Sequence, residues 1–267
     1  MSVLLQVSDT HFGTERAPVV EALVSLALQQ RPDLVLLSGD ITQRARRGQF
    51  HQARAFVDRL GAPLLAIPGN HDIPLFDIGA RVLHPYARYR AAFGDELEPV
   101  HSSPDWLVLC VNTTRWYRHQ NGAVSARQVE RVAARLAGAG PGQLRVVVVH
   151  HPVAVQRTED EHDLLRGAPA ALQRWAAVGV DLVLGGHIHL PYVMALRGLA
   201  RPVWAVQAGT AVSRRVRDGM PNSVNIVRRG EDVPAGCCRI ERWDCGPEGP
   251  AFTLAASTVA ETGGAGR

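Results

Sequence analysis

Six times along this chain a run of five or six mainly apolar residues stops at a polar turn. Val3 to Val7 runs into Ser8-Asp9, Asp33 to Leu37 into Ser38-Gly39-Asp40, and Pro63 to Ile67 into Pro68-Gly69-Asn70-His71-Asp72. Trp106 to Val111 ends in Asn112-Thr113-Thr114, Arg145 to Val149 in His150-His151-Pro152, and Val180 to Leu184 in Gly185-Gly186-His187-Ile188-His189. Runs this short, rich in Val and Leu and closed by turn residues, read as buried strands. Helix-length stretches separate many of them. One opens at Pro18 and runs to about Gln30, and another spans roughly Gly48 to Leu60. Ser125 caps a helix to about Ala137, and a further one runs from about Pro169 to Val178. Strand–helix–strand alternation implies parallel strands joined by right-handed crossovers, an α/β fold. The stretch from Ile73 to Glu98 is less regular, with a helix expected over Tyr86 to Phe93. Pro202 to Gln207, Ser223 to Arg228, Cys237 to Trp243 and Phe252 to Ser257 look strand-like with no helices between them, which suggests an antiparallel layer. No repeat or linker interrupts the pattern, so one domain over residues 1–260 is expected, with 261–267 as a frayed, disordered tail.

The strand ends carry the chemistry. In open α/β sheets, ligands bind at the carboxyl ends of the strands. Here five such ends present Asp9 and His11, Asp40, Asn70 and His71, His150, then His187 and His189. Each has a plain structural reading: an Asp can cap a turn, Asn70 can be turn chemistry, and His150 can be a satisfied core histidine. Their joint occurrence favours a shared site. Alternate residues on extended backbone point the same way, so both imidazoles of His187-Ile188-His189 can face one point, as metal ligands do. Asp9, His11, Asp40, Asn70, His150, His187 and His189 are more nitrogen and oxygen donors than one ion needs. They suit two ions sharing a carboxylate, the usual apparatus for phosphoryl transfer, in which the pair clamps a phosphate and lowers the pKa of a bridging water. On extended backbone, neighbouring side chains point to opposite sides. If Asn70 faces the metals, His71 projects over the substrate, where its imidazole can donate a proton to a leaving alkoxide.

Asp-x-His, Gly-Asp, Gly-Asn-His-Asp, His-His-Pro and Gly-His-x-His occur in that order between about residues 3 and 210. As an ordered set they are highly specific, and the chain resembles the calcineurin-like metallophosphoesterases. The resemblance implies a four-layer α/β/β/α sandwich of two mixed sheets flanked by helices. It implies that Asp9, His11, Asp40 and His189 hold one metal, and that Asp40, Asn70, His150 and His187 hold the other, with Asp40 bridging. It makes His71 the histidine that contacts the phosphate, with Asp72 orienting it. Ser8-Asp9-Thr10-His11, Gly69-Asn70-His71-Asp72 and the Asn121 to Gln128 stretch before a helix resemble the bacterial cyclic-nucleotide phosphodiesterase and glycerophosphodiesterase branch. The expected activity is therefore hydrolysis of phosphodiesters such as 3′,5′-cyclic AMP.

Other readings stay open. Thr42-Gln43-Arg44-Ala45-Arg46-Arg47 is unusually basic for that branch, and the segment after residue 230 has no clear counterpart. The arginines make either a solvated face or a contact for a second phosphate or anionic lipid, which would suit a nucleotide-sugar or lipid-precursor pyrophosphohydrolase. A non-catalytic metal-binding scaffold would be expected to lack ligands, and none of the expected ones is missing. A nuclease would want a broad basic groove, and a net charge of +4 is too small to imply nucleic acid as a partner. All 29 basic residues are arginine, which fits both a compositional bias and phosphate recognition by a bidentate fork. The apolar fraction is 46%, that of a globular chain. No apolar run reaches the ~18–20 residues of a membrane span. The first residues read as a strand rather than a leader, and Cys110, Cys237, Cys238 and Cys245 fit no disulfide or zinc framework, so a cytoplasmic protein is expected. Nitrogen and oxygen donors admit iron, manganese, zinc or cobalt. The partner expected is a small phosphoester, and a homo-oligomer remains open.

Overall fold

Every strand that leads to the site is buried on both faces, so its side chains divide between two cores. In the computed structural model, which describes residues 1–217, 219–246 and 250–263, β1 (Ser2–Val7) turns Val3, Leu5 and Val7 to one side. There they meet α1 (Ala17–Gln30) and α2 (Arg47–Asp58), whose Leu23, Phe50 and Phe56 are buried. Leu4 turns the other way, into a layer shared with the second sheet. β2 (Leu34–Ser38) repeats the division, with Val35 and Leu37 toward the helices and Leu34 and Leu36 between the sheets. The period of two along a strand thus separates an outer core from an inner one.

The first sheet continues through β3 (Leu64–Ile67), parallel to β2 as β2 is to β1, with Leu4 opposite Leu34 and Leu36 opposite Leu65. Two short helices follow, α3 (Ile78–Leu83) and α4 (Ala87–Phe93). The second sheet is built from β4 (Val100–Ser102), β5 (Trp106–Cys110), β6 (Leu144–Val148), β7 (Leu182–Gly185), β8 (Tyr192–Leu196) and β9 (Val203–Gln207), in the order β4-β5-β6-β7-β9-β8. Its central four strands are parallel and its edges antiparallel. α5 (Ala126–Ala137) and α6 (Ala168–Ala177) cover its outer face with Val132, Leu136 and Trp175. Ser125 caps α5 as expected. Its hydroxyl accepts from the Gln128 backbone N–H, and the Gln128 side chain accepts from the Ser125 N–H in return. The result is helix, sheet, sheet, helix, the four-layer α/β/β/α arrangement with two mixed sheets.

The late strands depart from the sequence expectation. They do not make a separate antiparallel layer. β9 lies parallel to β7 inside the second sheet, while β10 (Asn222–Arg229), β11 (Cys237–Cys245) and β12 (Phe252–Glu261) extend the first sheet as a meander beside β1. Absence of intervening helices leaves the chain free to join either existing edge, and each sheet gains strands in this way. α3, β4 and β8 were not foreseen, being short or only half-buried. The strand pattern persists to Glu261, and Thr262 donates to the Gly236 carbonyl; the rest of the expected tail, 264–267, lies outside the described residues.

A buried polar bridge joins the sheets just below the parallel strand ends. Gln6 of β1 donates through Nε2 to the Gly185 carbonyl of β7 at 2.9 Å, and Asn225 of β10 donates to Gln6 Oε1 at 3.0 Å and to the Gln207 carbonyl of β9 at 3.2 Å. Above this bridge the inner layer becomes polar, while below it Leu36, Trp106, Val146 and Leu184 keep it apolar. Leu36→Ala should lower stability by ~2–5 kcal/mol, because the inter-sheet layer cannot collapse onto the gap. Urea unfolding of the variant and the parent would measure it, and a midpoint unchanged within error would mean the layer is not the packed core described.

Candidate metal centre

Five of the polar side chains expected at the site leave their strands through a backbone that most residues avoid. Asp9 (φ 52°), His11 (φ 42°), Asp40 (φ 47°), His187 (φ 77°) and His189 (φ 56°) all lie in the left-handed region. Asp and His tolerate it better than most residues, yet each such conformation costs ~1–3 kcal/mol unless its surroundings impose it. Here the loops lock one another. Asp9 N–H donates to the Gly39 carbonyl at 3.1 Å, and His11 N–H to the Asp40 carbonyl at 3.0 Å. The His187 N–H donates to the Asp9 carboxylate at 3.0 Å, and the His71 N–H to Asp40 Oδ1 at 2.8 Å. Gly69 and Gly186 pack so closely that a Cβ on the first would strike the Asp40 carboxylate, and on the second the Asp9 carboxylate and the Ser8 hydroxyl.

The side chains gather into three overlapping groups, within each of which the donor atoms lie within 4.8 Å of one another: Asp9, His11 and His189; His11, Asp40 and His71; Asp40, His150 and His187. His11 Nε2 faces His189 Nε2 at 3.1 Å, His189 Nε2 lies 3.3 Å from Asp9 Oδ1, and His150 Nε2 lies 3.3 Å from Asp40 Oδ1. Ligands held at ~2.0–2.2 Å from one ion stand ~3–3.5 Å apart, so these spacings suit metal coordination. Asn70 Oδ1, His150 Nε2 and His187 Nδ1 are buried without a hydrogen-bond partner, a state that is costly unless a ligand completes it. Asp9 and Asp40 are 0% and 1% exposed, and among the described residues no arginine pairs with either. The donor set therefore fits metal ions, with Asp40 shared between two groups.

The electrostatics follow. Burial pushes the Asp9 carboxyl up, but the hydrogen bond from His189 and the charges of His189 and His150 hold it at about 2. Burial opposes ionisation of Asp40 too, and the imidazoles of His150, His71 and His11 keep it well below the usual carboxylate range. Burial disfavours a charged His150, yet the Asp40 carboxylate outweighs it and raises that imidazole to about 9. Burial drives His11 well below the ordinary histidine value despite both carboxylates.

Several expected placements need correction. His187 and His189 do not face one point. Left-handed backbone replaces the extended geometry, so His189 joins Asp9 while His187 joins Asp40 and His150. Asn70, His71 and Asp72 form a short 3₁₀ turn rather than extended chain, so His71 is not thrown to the far side of Asn70. Its ring stands edge-on to His11, centroids 4.9 Å apart, and its Nδ1–H donates to the Gln43 carbonyl at 3.0 Å. Asp72 does not orient His71. Its carboxylate instead accepts from the backbone N–H groups of Gly69, Ile41 and Thr42 and from the Thr42 hydroxyl at 2.8–3.0 Å, which ties the Asn70 turn to the Asp40 turn. Burial and the neighbouring Asp40 charge push it up to about 7 against those four donors.

One further participant, Asp163, had no sequence signal. Asp163 Oδ1 lies 3.4 Å from His187 Nε2, from a 3₁₀ segment, Thr158–Asp163. His151 sits beside His150 yet has both ring nitrogens engaged, Nδ1 with the Thr113 hydroxyl at 2.8 Å and Nε2 with the Gln120 carbonyl at 2.7 Å. His150 uses only Nδ1, on the Ser38 carbonyl at 2.9 Å, which aims Nε2 at Asp40. Arg44, Arg46 and Arg47 are exposed, and the Arg44 guanidinium lies 5.6 Å over the Phe76 ring.

Residues 2–191 match the family model described as calcineurin-like phosphoesterase. The chain is 29% identical over 208 residues to a probable cyclic nucleotide phosphodiesterase of Synechococcus sp., covering 73% of this chain and 76% of that protein. It is 26% identical over 261 residues, 90% of each chain, to the 3′,5′-cyclic adenosine monophosphate phosphodiesterase CpdA of Pseudomonas aeruginosa. A dimetal phosphatase from Danio rerio superimposes with a TM-score of 0.67 at 14% identity, over 98% of this chain and 99% of that one, a likeness of fold.

Asp40→Asn should leave at most one metal per chain by elemental analysis, since a neutral amide cannot balance two dications; two metals kept at parent affinity would remove Asp40 from its shared role. Asp72→Ala would strand three buried backbone donors and should cost about 3 kcal/mol or more in urea unfolding of the metal-free protein.

Proposed function

The chain belongs to the calcineurin-like phosphoesterase family, and from that premise we propose that it hydrolyses small phosphodiesters, 3′,5′-cyclic nucleotides such as cyclic AMP foremost. The observation that carries the chemistry is the buried Asp40 carboxylate standing between two groups of imidazoles, one reaching to Asp9 and His189 and the other to His150 and His187. Asp9, His11, Asp40 and His189 would hold one ion, and Asp40, Asn70, His150 and His187 a second. Iron, manganese and zinc all suit these donors. Bound there, the ions would supply Lewis acidity toward the phosphate and lower the pKa of an attacking water. The choice of cyclic nucleotides rests on the names of relatives that this chain matches over most of their length.

The protein's own groups have separable tasks. The Ser38 carbonyl turns His150 toward Asp40, and Asp163 steadies His187. Asp72 holds the Asn70–His71 turn against the Asp40 turn, so the orphaned Asn70 Oδ1 keeps its place. The Gln43 carbonyl accepts from the His71 Nδ1–H, so Nε2, which lies 3.0 Å from Arg215 Nη1, is the ring nitrogen that would meet substrate. No helix among the described residues is long and apolar enough to cross a membrane. All four cysteines are free, which supports a reducing compartment, the cytoplasm, as its place of action.

A panel on the manganese-loaded protein tests the reading: cyclic nucleotides, glycerophosphodiesters, nucleotide sugars and a simple monoester. Diesters should turn over well above the monoester, with cyclic AMP among them. Cleavage of a nucleotide-sugar pyrophosphate without any cyclic-nucleotide turnover would replace it. His71→Ala should keep both metals and lower kcat by ~10²–10⁴-fold on esters with poor leaving groups. The loss should be smaller for a nitrophenyl ester, which needs no proton on departure. Equal losses on both, with metal loss, would leave His71 a structural residue.

A further inference from the structure

At the same edge as the strand ends that supply the imidazoles, the loop joining β9 to β10 carries two arginines with contrasting surroundings. Arg217 is spent on carboxylates. Its guanidinium pairs with Asp160 at 2.8 Å and Glu159 at 2.7 Å, and reaches the Ile188 carbonyl between His187 and His189 at 3.5 Å. Arg215 has no carboxylate within ion-pair distance among the described residues. Its Nη1 lies 3.0 Å from His71 Nε2, 3.2 Å from Gln43 Oε1 and 3.4 Å from His11 Nδ1. Its Nη2 and Nε find no protein acceptor among the described residues. A half-buried guanidinium is thus aimed at the rings of His11 and His71, with donors left over and no anion among the described residues to receive them.

The aim is built in by the backbone. The Ala211 N–H donates to the Ser8 carbonyl at 3.0 Å and the Arg214 N–H to the Thr14 carbonyl at 2.9 Å, so the loop is stitched on both sides of the Asp9–His11 turn. Thr210 donates its hydroxyl to the Arg215 carbonyl at 2.8 Å, and Ser213 Oγ accepts the Arg215 N–H at 3.2 Å. Arg217, two residues on, pins the far side of the same loop. A long cationic side chain held this way has lost its rotamer freedom in advance, which favours a ligand that uses its planar fork.

We propose that Arg215 is a substrate-binding residue that grips a non-bridging oxygen of the phosphoester through its free Nη2 and Nε donors. This rests on the phosphoesterase reading of the same site. Charge-assisted hydrogen bonds from guanidinium to phosphate are strong and often paired, and this geometry leaves two donors on one edge of the fork. Arg215 adds positive charge beside His71, where the phosphate must lie if that imidazole is to reach the leaving group.

The test uses the manganese-loaded full chain and inorganic phosphate as the probe, with binding followed by calorimetry and metal content by elemental analysis. Arg215→Met should keep the parent's metal content and weaken phosphate binding by ~10–100-fold, the scale of one or two lost charged hydrogen bonds. Arg215→Lys should lie between the two, because it keeps the charge and loses the fork. Millimolar guanidinium added to Arg215→Ala should recover part of the affinity, which a merely structural role would not allow. A parent that binds phosphate no more tightly than Arg215→Met overturns the assignment while leaving the phosphoesterase reading intact. Metal loss in both the Met and Lys variants also overturns it, making Arg215 a support for His11. A metal-loaded parent with no affinity for phosphate overturns the phosphoesterase reading and this inference together.

Discussion

Asp40 lies where the two sheets meet, with its carboxylate out of solvent and imidazoles as its only basic partners among the described residues. A buried charge is tolerated only when it is paired and hydrogen-bonded. Nearly every feature of the site answers that requirement. The His71 backbone donates to one oxygen, His150 is turned toward the same oxygen by Ser38, and His11 approaches the other at 3.8 Å. Cations between these groups would neutralise Asp40 and Asp9 and occupy the unpartnered atoms of Asn70, His150 and His187.

The scaffold is arranged so that this concentration of polar groups costs the fold little elsewhere. Below the Gln6–Asn225 bridge the inter-sheet layer is apolar, and above it the strand ends open into polar turns. The left-handed residues sit at that transition, and they persist because neighbouring loops are hydrogen-bonded to one another. Strain is thus held by long-range contacts, as expected for a site that must be formed before its ligands arrive. Arg217 belongs to the same design, tying the Ile188 carbonyl to the acidic segment that also presents Asp163 to His187.

The alternation of apolar runs and amphipathic helices was legible because a strand buried on both faces, such as β1, reads as a continuous apolar run, while a helix such as α5 buries one face at a period of 3.6. The polar residues at the strand ends were legible because a parallel sheet delivers every such end to one edge. β8 and α3 were less so, since Tyr192–Leu196 is half-exposed and Ile78–Leu83 buries nothing. The placement of β10 to β12 was hidden for another reason. An antiparallel meander satisfies its internal hydrogen bonds wherever it docks, and the pairing of β10 with β1, the Asn225 bridge and the packing of Val227 and Ile240 between the sheets decide where.

The sequence alone determined which residue types reach the site and in what order, because strand, turn and helix signals are local and additive along the chain. Tertiary structure decided what each of them touches. His187 and His189, two residues apart, part company because of backbone angles that leave no trace in a hydrophobic pattern. Asp72, beside His71 in the chain, turns away to the Ile41 and Thr42 backbone. Arg215 meets His71 across 144 residues, a contact set by sheet order and loop stitching. Side-chain chemistry is written residue by residue, whereas the convergence of polar groups from five strand ends exists only once two sheets have closed over a common core.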